Sequence, residues 1–68
     1  MSARDRWLHE VRNQLNTATM SAAAARRLLQ LGDVEEALAN LMRTESACGR
    51  CAELVRDARS DTVRVRKN

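Results

Sequence analysis

An all-α fold is what this sequence predicts: an antiparallel two-helix hairpin that pairs with a second copy to make a four-helix bundle. Three observations point to it. The apolar content comes from Ala, Leu, Val and Met, with a single Trp and no Phe or Tyr. Most of these are good helix formers. Two Gly and no Pro leave little to interrupt a helix and no turn chemistry for a sheet. Apolar residues recur at alternating three- and four-residue spacing in two long stretches separated by one break.

The first stretch predicts a helix over residues 3–31. Leu8, Val11, Leu15, Ala18, Ala22, Ala25 and Leu29 form an a/d seam of the bundle or coiled-coil kind. Ser2 is placed to cap it, with Asp5 three residues on. The alanines at 22–25 narrow the helix for a close neighbour.

Leu31-Gly32-Asp33 is the break. Gly32 suits the residue just past a helix end, and Asp33 suits an N-cap with Glu36 three residues later. The second helix is predicted from about Val34 to about Ser60. Val34, Leu38, Leu41, Cys48, Ala52 and Val55 make its inner stripe, flanked by Ala37, Met42, Cys51, Leu54 and Ala58. Glu45 falls on that stripe, so its middle turn is the weakest. A short turn between long helices gives a hairpin with one apolar side uncovered, which a second hairpin covers. A chain of 68 residues has little core of its own and needs such a partner. Residues 1–61 form this one domain. Residues 62–68, Thr-Val-Arg-Val-Arg-Lys-Asn, alternate in a strand-like way and read as a basic tail or a linker to a further domain.

Net charge is +3 and unevenly spread. Residues 1–31 carry five Arg against Asp5 and Glu10, whereas residues 33–61 carry four Arg against seven acids. Opposite signs on antiparallel helices suit pairing with each other. The clustered basic side chains and stacking aromatics of a nucleic-acid module are missing. No apolar run is long enough to span a bilayer and no secretory signal is visible. The expectation is a soluble, cytoplasmic segment without membrane contact, compatible with a membrane-attached parent chain.

The only histidine stands in His9-Glu10-Val11-Arg12-Asn13-Gln14-Leu15. On a helix Asp5, His9, Asn13 and Asn16 share one polar face. Imidazole titrates near neutrality, and its neutral form is a nucleophile. A carboxylate on one ring nitrogen makes the other more reactive, and Glu10 is close enough in sequence to supply it. Taken alone, a His-Glu pair is most often an ordinary exposed pair. A zinc-protease helix is excluded, because Asn13 stands where the second His is required.

The seven residues resemble the H-box of sensor histidine kinases, His-Glu-aliphatic-Arg-Thr/Asn-Pro-Leu. Cys51-Ala52-Glu53-Leu54-Val55-Arg56-Asp57-Ala58-Arg59 resembles the end of the second helix in that family, so the likeness covers residues 3–60. It implies the dimerisation and histidine-phosphotransfer domain, of the HisKA type. His9 would accept the γ-phosphoryl group of ATP and pass it to an aspartate of a response-regulator receiver domain. Glu10 would be the general base. Asn13 matches the position that orients water for dephosphorylation in bifunctional members, and Arg12 would meet phosphate charge. ATP and Mg2+ would be held by a separate ATP-binding domain, acting in cis or in trans, because these residues contain no nucleotide-binding motif. No cofactor or metal is expected in the hairpin itself. Gln14 departs from the family by replacing proline, which reduces the expected kink.

Three other readings stand beside this one. A stand-alone histidine phosphotransferase shares the site. A non-catalytic dimerisation hairpin needs only the seam. Cys48-Gly49-Arg50-Cys51 has the spacing of a redox pair or half a metal site, but small thiols in mid-helix are more often core.

Overall fold

The computed structural model describes the backbone of residues 2–67 and the side chains of residues 2–58. Two helices, α1 (Ala3–Gln30) and α2 (Val34–Lys67), pack against each other as a hairpin. There is no strand among the described residues. The molecule is a rod of 55 × 24 × 12 Å.

Both helix starts and the turn follow from local chemistry. Ser2 Oγ accepts the Asp5 amide at 3.0 Å, which satisfies one of the open donors of the first turn. Leu31 ends α1, and Gly32 follows at φ +83°. The Asp33 amide donates to the Leu28 carbonyl at 2.8 Å and the Gly32 amide to that of Leu29 at 3.1 Å. These two bonds make a Schellman motif. Asp33 Oδ1 then accepts the Glu36 amide at 3.2 Å and opens α2. One dipeptide closes one helix and starts the next.

The end of α2 differs from expectation. The helix does not stop near Ser60 but runs through the segment 62–67 that reads as strand-like. Neither Pro nor Gly follows Gly49 to stop it, and two Val-Arg steps are too few to impose a strand. Basic side chains in a last helical turn also favour the helix dipole. The side chains of residues 59–68 lie outside the described ones.

The seam also differs. Val11, Ala18 and Ala25 do face α2, but Leu8, Leu15, Ala22 and Leu29 do not. Their places in the contact are taken by Trp7, Gln14, Ser21 and Leu28. On α2 the contact is made by Ala37, Asn40, Thr44, Ala47, Cys51, Leu54 and Ala58 rather than by the stripe from Val34 to Val55. Both sets alternate by three and four, so each is a complete heptad seam. The buried hydrophobics are Ala18, Ala25, Ala37 and Ala47. Small residues fill the buried positions of the seam, and Trp7, Leu28 and Leu54 lie half-buried along it. The polar seam residues are satisfied locally. Ser21 Oγ donates to the Thr17 carbonyl at 2.7 Å and lies 2.8 Å from Thr44 Oγ1, which is 3.0 Å from the Asn40 carbonyl. Asn40 Nδ2 donates to the Glu36 carbonyl at 2.9 Å.

With the seam as heptad positions a and d, one flank of the hairpin is apolar. Leu8, Leu15, Ala22 and Leu29 take position e on α1, and Val34, Leu41, Cys48 and Val55 take e on α2. In an antiparallel pair e faces e and g faces g. The large residues of this flank, with Leu38 beside them, are 38–55% exposed. The opposite flank is polar, with Glu10 and Arg50 both at g and paired across it.

Candidate functional site

His9 takes position f of α1, the heptad position turned furthest from α2, and is exposed. A shallow hollow bordered by Asp5, Leu8, His9 and Arg12 lies on the same helix surface. The structure thus brings Arg12, one turn on, beside His9, where its guanidinium can meet an anion. Asp5, Asn13 and Asn16 are exposed with it, as expected of residues three and four apart. No groups of three or more His, Cys, Asp or Glu are placed to hold a metal ion among the described residues. No helix there is long and apolar enough to cross a membrane.

Glu10 is adjacent to His9 in sequence but engaged elsewhere. Its Oε1 accepts from Gln14 Nε2 at 3.2 Å and lies 4.0 Å from Arg50 Nε. Arg50 in turn reaches Glu53, Nη1 to Oε1 at 3.4 Å. The sequence pattern missed Arg50 as a neighbour of this site, since it drew notice only inside the Cys-x-x-Cys spacing. The signal that finds it is the antiparallel register, which sets g position 50 opposite g position 10.

Trp7 lies within the seam, one turn from the start of α1. Its indole Nε1 donates to the Leu54 carbonyl at 2.9 Å, tying the first turns of α1 to α2 just below His9. The cysteines exchange the places the sequence suggests. Cys51 is in the seam, with Sγ donating to the Val11 carbonyl at 3.9 Å, while Cys48 is exposed on the apolar flank. Both thiols are free. Gly49 marks no close approach, since a Cβ there would meet nothing within 4 Å.

No family model matches this chain, and neither the curated proteins nor the solved structures include a significant match.

Proposed function

We propose that this hairpin is the dimerisation and phosphoacceptor element of a two-component sensor histidine kinase. One observation carries the reading: His9 of the H-box-like segment stands exposed on the outer face of a hairpin whose apolar flank is uncovered. A separate ATP-binding domain holds ATP and Mg2+ and presents the γ-phosphorus. A ring nitrogen of His9 bonds to that phosphorus as the bond to the bridging oxygen of ADP breaks. The other ring N–H gives its proton to Glu10. Arg12 meets the incoming negative charge, and the phosphoryl group then passes to a receiver aspartate. Asn13, one turn beyond His9, orients the water that hydrolyses the aspartyl phosphate of the regulator. Positioning and electrostatics supply most of such catalysis, and a packed helix pair is a stiff support for it. On this reading the chain works in the cytoplasm.

The partner that covers the apolar flank is a second copy. The net basic α1 and the net acidic first part of α2 favour a bundle in which α1 of one copy lies beside α2 of the other, so that opposite charges alternate around the ring.

The test is phosphorylation by the ATP-binding domain of the parent kinase with radiolabelled ATP. Acid-labile label is expected on the wild-type chain and absent from His9→Gln. Label that persists in His9→Gln overturns the reading. A second reading, a dimerisation hairpin without chemistry, is favoured by the engagement of Glu10 with Gln14 and Arg50 rather than with His9. It predicts that His9 and Asn13 are replaceable without loss of function.

A further inference from the structure

The carboxylate next to His9 is held from the far side of the hairpin. Glu10 Oε1 accepts the Gln14 amide at 3.2 Å, and the Arg50 guanidinium lies 4.0 Å from the same oxygen as an ion pair. Gln14 is a half-buried seam residue one turn from Glu10 on the same helix. Arg50 has a second carboxylate within reach, Glu53 at 3.4 Å, and stays paired when it lets Glu10 go. For Glu10 to reach the imidazole at position f, it must swing away from α2 and lose both contacts. We propose that Gln14 and Arg50 are positioning residues that hold Glu10 away from His9, so that release of this hold sets how fast His9 is phosphorylated. The inference rests on the phosphoacceptor reading of His9. The hold is weak by nature, because an exposed ion pair near 4 Å contributes little. A weak hold with a spare partner for the cation behaves as a gate and not as a structural tie.

Potassium phosphoramidate tests this on the full chain without any ATP-binding domain. A ring nitrogen of His9 bonds to phosphorus as the P–N bond breaks. Ammonia leaves from the protonated amine, and the other ring proton passes to Glu10. Arg50→Gln and Gln14→Leu are each expected to phosphorylate about two- to fivefold faster than wild type, with unchanged helical content by circular dichroism. Arg50→Lys restores the wild-type rate, and in a Glu10→Gln background neither substitution changes it. Rates unchanged or slower in both variants, or faster to the same degree without Glu10, overturn the gate while His9 phosphorylation still stands. A wild-type chain that takes no phosphoryl group on His9 overturns the site reading and the gate together.

Discussion

Gly49 interrupts the residue pattern of α2 without any steric reason, because the space where its Cβ would stand is open and its backbone is helical. Gly49→Ala is therefore expected to stabilise the protein by about 0.5–1 kcal/mol through helix propensity alone, read as a higher midpoint in thermal unfolding. A lower midpoint would mean that something outside the hairpin approaches this position. At the same scale His9 was legible in the sequence, since an exposed residue on a helix needs only the heptad phase to be placed. The direction of Glu10 was not. Its contacts come partly from Arg50, forty residues away, and depend on a register that no local pattern encodes.

At the scale of elements, the turn was the most legible part, because a Schellman ending and an N-cap are built from neighbouring residues. Gly32 is the case opposite to Gly49. Its surroundings are equally open, but its φ of +83° penalises any side chain. Gly32→Ala is expected to cost about 1–2 kcal/mol, seen as a lower urea midpoint at unchanged slope, and an unchanged midpoint would show that another turn geometry serves as well. The seam expected from the apolar pattern differs on each helix from the one the structure uses. Val11, Ala18 and Ala25 belong to both sets on α1. The choice between Trp7-Gln14-Ser21-Leu28 and Leu8-Leu15-Ala22-Leu29 depends on how closely two backbones can approach, which hydropathy does not measure. The set the structure uses makes polar contacts across the pair, Trp7 to the Leu54 carbonyl and Ser21 to Thr44, which apolarity does not register. The end of α2 was missed because a two-residue alternation was weighed above the lack of any helix breaker.

For the whole molecule, the two overlapping seams divide the labour. One set joins α1 to α2 within the chain, and the other leaves leucines and valines exposed on one flank. A hairpin whose buried hydrophobics are all alanine has little stability of its own. Folding and dimerisation are then expected to occur together, with a melting temperature that rises with protein concentration. If the flank forms the proposed dimer, Leu15→Glu should dissociate it in sedimentation velocity at concentrations where wild type stays paired, because it places a charge in an apolar interface. Met20→Glu, at an exposed position off the flank, should leave the dimer intact. If both behave alike, the flank is not the interface.

The meeting of Ser21 and Thr44 has a consequence for how this rod bends. Each hydroxyl owns one proton, yet four bonds are within reach: Ser21 to the Thr17 and Ala18 carbonyls, Thr44 to the Asn40 carbonyl, and Ser21 to Thr44. With the two oxygens 2.8 Å apart, one proton must lie between them, so the carbonyls of only one helix are served at a time. Back-bonding of this kind bends the helix that makes it. The middle of the hairpin therefore has two proton arrangements, one back-bonding on α1 and the other on α2, and they interchange by hydroxyl rotation.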